Sequence, residues 1–316
     1  MKRPVAGLAV VITMLAATAC GGSDSSDSEG LDAIKIGTIP IVDTAPVYIA
    51  EHRGYFEKYG IDAELVPLQG GASSIDGVVK GHYDFGYANV TSLLVAAEQG
   101  KPVTGVAGGA ASTGTPQEDF SAVVVAKDSP KHSARDLEGS TVAVNQLQNI
   151  GDTTVRASVR KAGGDPDRVR FVEMPFAEMA AALDDGRVDA TWVVEPYLRE
   201  AVSRGSRPIA WNYVDTAPHM TISLYFTTTE LAEKNPDLVK RFTSAMRDAQ
   251  DFANAHPGDV RSVLGEYTKI PGPTLDNIVL PQWPEKINRS SVEQIARYAR
   301  EDGLLKREAD LDKLLP

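Results

Sequence analysis

From residue 34 onward, short runs of β-forming residues alternate with stretches of helical periodicity, and no other feature restricts the chain as much. The runs 34–40, 63–68, 84–87 and 103–107 read as strands, and 44–59, 73–80 and 90–99 between them read as helices. Val47, Ala50, Tyr55 and Tyr59 share a face of the first helix, while Gly60 and Gly100 supply stops. Strands joined by crossover helices of this length make a parallel sheet with helices on its faces. Residues 108–119, rich in Gly, Ser and Thr, fit neither element and read as a break. A second series then begins, with strands 122–126, 141–144, 169–173, 190–194 and 208–211 around helices 152–162, 177–184 and 196–203. After one strand at 223–227 the remainder is helical: 236–256, 258–267, 273–279 and 290–302. The last opens on Ser290-Ser291-Val292-Glu293, the spacing of a capping box. These helices have no sheet of their own and must pack on the first. The expectation is an α/β protein of two lobes with mainly parallel sheets. Residues 34–118 and 222–316 form a discontinuous lobe 1 and 119–221 form lobe 2, joined by a two-segment hinge with crossings near 115–121 and 217–222.

The start of the chain reads as an address. Lys2 and Arg3 precede an apolar stretch, 5–17, that is too short for a membrane span, and small residues lead directly to Cys20. Ala17-Thr18-Ala19-Cys20 resembles a bacterial lipobox, with Ala17 where leucine is usual. Residues 1–19 are therefore expected to be a lipoprotein signal peptide, Cys20 the lipidated residue, and 20–33 a flexible Gly/Ser/Asp tether. That places the chain outside the cytoplasmic membrane, held by acyl chains. Cys20 is the only cysteine, which rules out a disulfide framework and a cysteine-based zinc site. His52, His82, His132, His219 and His256 offer no close ligand pair, so no metal is expected. A net charge of −11 disfavours binding to nucleic acid.

In open α/β sheets a ligand sits beyond the carboxyl ends of the strands, against helix N-termini whose amides are free. The loops so placed hold Asp43 and Thr44; Ser73 and Ser74 after Gly70-Gly71-Ala72; Asn89 and Thr91; Asp152, Thr153 and Thr154; and Glu195. None of these loops contains Lys or Arg. Ser73, Asn89, Asp152 and Thr153 also suit helix N-caps, as Asp43 does. Glu195 follows an apolar strand, where a carboxylate is costly unless it is paired or meets a ligand. The paired glycines lack the lysine of a phosphate loop, and no GxSxG elbow occurs, so nucleotide hydrolysis and serine chemistry are set aside. His52 reads as a solvated residue, His219 as lining the second crossing, and Trp192 as core.

Pro46-Val47-Tyr48-Ile49-Ala50-Glu51-His52-Arg53-Gly54-Tyr55-Phe56, continuing through Gly60-Ile61-Asp62, resembles the opening motif of the nitrate/sulfonate/taurine and thiamine-precursor (SsuA/THI5-like) substrate-binding proteins of ABC importers. Gly70 to Ser74, Asp136 to Val144 and Ala182 to Pro196 are similar to its later motifs, in the same order. The resemblance implies a type II periplasmic-binding-protein fold, a small solute held between two lobes, and delivery to a permease with a cytoplasmic ATPase. No cofactor and no catalysis are expected, the export signal and the absence of a lysine in the candidate loops arguing against an enzyme, and the protein is expected to act as a monomer. A carboxylate at Asp152, where sulfonate binders commonly show a Gly/Ser-rich stretch, argues against a bare anion. An amino-sulfonate or a thiamine-precursor-like pyrimidine is expected instead. The alternatives are a lipoprotein sensor without transport and a pyrimidine-synthesis enzyme on the same scaffold.

Overall fold

The computed structural model describes residues 30–316. The expected signal peptide, Cys20 and most of the expected tether lie outside the described residues. The first strand already begins at Asp32, within the last residues assigned to the tether.

The first series comprises β1 (Asp32–Thr38), α1 (Ala45–His52), α2 (Tyr55–Lys58), β2 (Ile61–Pro67), α3 (Gly71–Val79), β3 (Phe85–Asn89), α4 (Val90–Glu98) and β4 (Val103–Gly108). The second comprises β5 (Ser121–Val125), β6 (Thr141–Val144), α5 (Ile150–Lys161), β7 (Arg170–Glu173), α6 (Phe176–Asp184), β8 (Ala190–Val194), α7 (Tyr197–Ser203), β9 (Arg207–Ala210) and α8 (Asn212–Thr216). Then follow β10 (Ser223–Thr228), α9 (Thr229–Lys234), α10 (Pro236–Ala255), α11 (Pro257–Thr268), α12 (Gly272–Leu275), α13 (Arg289–Glu301) and α14 (Leu311–Leu314).

These strands make two five-stranded sheets, ordered β2-β1-β3-β10-β4 and β7-β6-β8-β5-β9. β1 pairs in parallel with β2 and β3, and β6 in parallel with β7 and β8. β10 runs antiparallel to β3 and β4, and β5 antiparallel to β8 and β9. In each sheet one strand, the first after a crossing, therefore opposes the other four. β5 and β8 are buried along their whole length, as apolar strands covered on both faces must be. α10 provides much of the cover over the first sheet. Its Phe242 stacks on Phe85 with ring centroids 4.0 Å apart and also meets Phe56 and Tyr225.

The sequence reading needs local corrections. The helix expected over 44–59 is two helices, because Gly54 takes a left-handed conformation (φ 69°) that interrupts the turn between them. The last long helix is capped by Asn288, whose side chain accepts from the Ser291 amide, and not by the Ser290 box. The helix expected over 273–279 is a single turn, α12, and α8, α9 and α14 add short helices beyond those expected.

The two crossings run side by side. The Ile222 amide donates to the Ala110 carbonyl and the Ser112 amide to the Met220 carbonyl, each at 2.9 Å. Gln282 pairs with Ala111 through both main-chain bonds, at 2.8 and 3.0 Å. His219 lies at this crossing, its ring against Gly114. No helix among the described residues is long and apolar enough to cross a membrane.

Candidate functional site

The strand ends that carry the candidate loops meet between the two sheets. The Val42 amide, after β1, donates to the Glu195 carbonyl after β8 at 3.1 Å. The Ala72 amide, in the first turn of α3, donates to Gln146 Oε1 after β6 at 3.2 Å. Ser92 Oγ, in the first turn of α4, donates to Asn149 Oδ1, the N-cap of α5, at 3.1 Å. Three helix N-termini thus converge on one junction, as the strand directions require. Glycine permits the approach at Gly70, where a Cβ would stand 2.8 Å from Gln146 Oε1; a Cβ on Gly151 would stand 2.5 Å from the Trp192 ring, a contact within the second series.

Asp43 follows Val42 at this junction. It is 2% exposed, and its Oδ1 accepts from Tyr87 Oη at 3.1 Å while its Oδ2 has no partner. Tyr87 in turn shares a 2.6 Å bond with Ser223 Oγ, which accepts from the Ala110 amide. The Trp283 indole donates to the Asp43 carbonyl at 2.9 Å. Burial pushes the Asp43 carboxyl up to about 7; the Tyr87 bond opposes that rise and the charge of Asp119 adds to it. No cation contributes. Burial and the Asp43 charge together push the Tyr87, Tyr213 and Tyr225 hydroxyls well above their usual range. Tyr87 and Tyr225 face each other across the β3–β10 pair with centroids 5.3 Å apart.

Glu195 is fully buried and divides its carboxylate between two main-chain amides, Arg199 on Oε2 (2.9 Å) and Val279 on Oε1 (3.2 Å). Burial pushes it up to about 7, against those two bonds and the Arg199 charge. Asp152 accepts from the amides of Gln148, Asn149 and Thr153, which closes a capping box at the start of α5. Burial raises its pKa.

The other candidates divide by where their hydroxyls and amides point. Thr44 Oγ1 donates to the Ile39 and Ile41 carbonyls, Ser73 Oγ to the Gly70 carbonyl, and Thr154 Oγ1 to the Ile150 carbonyl while accepting from Asn212. Ser74 Oγ turns onto the sheet, where Cβ atoms on Gly37 and Gly86 would stand 3.2 and 2.5 Å from it. Asn89 caps α4 through the Ser92 amide. Thr91 and Thr153 are buried in the first turns of α4 and α5, and Thr91 Oγ1 has no partner. Trp192 is core, its indole donating to Ser121 Oγ at 2.9 Å.

Four more side chains join the junction: Tyr87, Tyr225, Asn149 and Asp119. Tyr225 Oη and Asn149 Nδ2 are buried without partners. Asn149 and Asp119 lie in loops, whereas the two tyrosines lie inside strands β3 and β10. Tyr87 lies two residues from Phe85 on β3 and shares its core-facing side, so a search confined to loops passes over a hydroxyl that reaches the loop from inside the sheet. Among the described residues no group of His, Cys, Asp and Glu is placed to hold a metal ion.

Comparison with known proteins agrees with this architecture. The alkanesulfonate-binding protein SsuA of Xanthomonas axonopodis pv. citri, solved bound to MOPS, superposes with a TM-score of 0.78 at 16% identity, covering 91% of this chain and 99% of that one. The periplasmic nitrate-binding protein NrtA of Synechocystis gives 0.75 at 17% identity, with 90% and 86% covered. The formylaminopyrimidine-binding protein of Halalkalibacterium halodurans is 24% identical over 197 residues, which is 60% of this chain and 56% of that protein. The profile of the NMT1/THI5-like family matches residues 41–260, and the chain belongs to that family.

Proposed function

We propose that this chain is the extracytoplasmic solute-binding lipoprotein of an ABC importer, anchored through Cys20 and acting as a monomer. Residues 34–118 with 222–316 and residues 119–221 form the two lobes of its clamp. The closed form is the one a permease with its ATPase receives. The observation that carries this reading is the set of orphaned polar atoms where the two sheets meet. Asp43 Oδ2, Tyr225 Oη and Thr91 Oγ1 come from the first sheet and its helices, Asn149 Nδ2 from the second, and all are buried without partners. Each such atom costs about 1–3 kcal/mol unless something bonds to it. A polar solute enclosed there removes that cost in the closed form alone, and differential affinity is what drives closure.

The charge of the site defines the solute. Asp43 and Asp119 bring negative charge, and no cation acts on Asp43. A bare anion is repelled, and a positive centre or ring N–H is attracted to Asp43. An amino-sulfonate or an aminopyrimidine fits, with Thr91 and Thr153 offering first-turn contacts. The test is thermal shift and calorimetry with taurine, alkylsulfonates, formylaminopyrimidine and nitrate. Formylaminopyrimidine or taurine is expected to raise Tm and nitrate to have no effect; a nitrate-only response overturns the assignment. Turnover of any of these compounds by the purified protein overturns the binding role in favour of an enzyme.

A further inference from the structure

We infer that Glu195 is a closure latch, a positioning residue through which the second lobe grips main-chain amides of the first and holds the clamp shut. This rests on the two-lobed clamp above, and it assigns Glu195 to the closing motion and not to the solute. The residue is tied on every side. Its amide donates to the Phe120 carbonyl at 2.8 Å and its Oε2 accepts the Arg199 amide at 2.9 Å, both within the second lobe. Its remaining acceptors turn outward: Oε1 takes the Val279 amide at 3.2 Å and the carbonyl takes the Val42 amide at 3.1 Å, both from the first lobe.

The residue type follows from those partners. Both carboxylate oxygens meet donors, so a glutamine would turn its own NH2 toward one of the two amides and lose that bond. Ionised acceptors make stronger bonds to main-chain amides than neutral ones do. Its placement ties closure to the solute centre. Val42 directly precedes Asp43, and Val279 lies on the connection that leads to Trp283, whose indole holds the Asp43 carbonyl. When the latch engages, both first-lobe segments beside Asp43 are pinned to the end of β8.

The experiment uses the mature protein in detergent and two variants that break the contact from opposite sides. Glu195→Gln alters the acceptor in the second lobe, and Val279→Pro deletes the donor in the first while leaving Glu195 intact. Hydrogen exchange at the Val42 amide and the radius of gyration by X-ray scattering are measured without solute near pH 8, above the value of about 7 to which burial raises Glu195. Both variants are expected to speed Val42 exchange about tenfold or more and to enlarge the radius, since losing one charged bond corresponds to about a tenfold change in population. An unchanged Val42 rate and radius in both variants overturns the latch. A response to Glu195→Gln alone also overturns it, because Glu195 then acts only within its own lobe. The solute panel decides the clamp reading separately: a panel without a binder removes the transport assignment, whatever the exchange rates show.

Discussion

Asp43 shows how a buried carboxylate, here proposed to meet a solute, is a liability without a partner. Its carboxyl titrates near 7 in the folded chain against 3.8 for an ordinary aspartate, and Glu195 near 7 against 4.5. Between those values the folded protein holds protons that the unfolded chain has released. Stability is therefore full below the unfolded pKa, falls as pH rises through the window, and levels off above the folded pKa. Asp119 and Asp152 are shifted in the same direction, so they add to the slope. The ligand-free protein is expected to melt at a higher temperature near pH 5 than near pH 8, as read by calorimetry at matched ionic strength. Asp43→Asn should flatten that dependence and raise Tm near pH 8, where it removes an uncompensated buried charge. The same substitution should weaken a positively centred solute by about tenfold or more, roughly 1.4 kcal/mol. A variant that loses affinity while gaining stability marks a binding residue, and one that loses both marks a packing residue.

At the scale of elements, α5 separates what the sequence discloses from what it hides. Its existence was legible and its start was not: the sequence reading opens the helix at 152 with Asp152 and Thr153 as caps, whereas Asn149 caps α5 from Ile150 and Asp152 closes the box with it. Whether Asp152 faces a solute or closes its own helix was not legible, because both uses place a carboxylate at the same first-turn position. Its three bonds to main-chain amides favour the cap. Asp152→Ala is expected to cost about 1–2 kcal/mol, lowering Tm by a few degrees, with solute affinity changed less than about threefold. A large affinity loss at unchanged Tm would return Asp152 to the solute. The strand-helix order was legible for the same kind of reason, since apolar periodicity is local and survives in the one-dimensional pattern. The antiparallel placement of β5 and β10 was not. Direction is set by how the chain re-enters each sheet after a crossing, and nothing in the run of Ser121 to Val125 records it. The tyrosines around Asp43 escaped for a related reason: their rings belong to the core pattern, and only their hydroxyls belong to the site.

For the molecule as a whole, the proposed clamp reduces function to an equilibrium between separated and apposed lobes, and Gly70 is the place to perturb it without damaging either one. Its backbone is extended (φ −178°, ψ 177°), a conformation open to any residue. The nearest atoms that a Cβ placed there would meet belong to Gln146 and Asn145, on the loop after β6 of the other sheet. A bulky substitution, Gly70→Trp, therefore wedges the closing faces apart while leaving the packing inside each lobe intact. Apparent affinity scales with the fraction of molecules able to close, so a tenfold smaller closed fraction weakens binding about tenfold. The variant is expected to melt within about 2 °C of the wild type without solute, since its side chain removes no core contact. It should bind its solute at least tenfold more weakly and keep the larger radius of gyration when solute is added. Wild-type affinity in Gly70→Trp would mean that Gln146 and Asn145 yield freely and that the faces joined by the Ala72–Gln146 bond play no part in enclosing the solute. A collapse in Tm would place Gly70 inside a lobe's core, contrary to the side chains that surround it. Weak binding by a chain that still folds leaves apposition of the lobes as the step that was blocked.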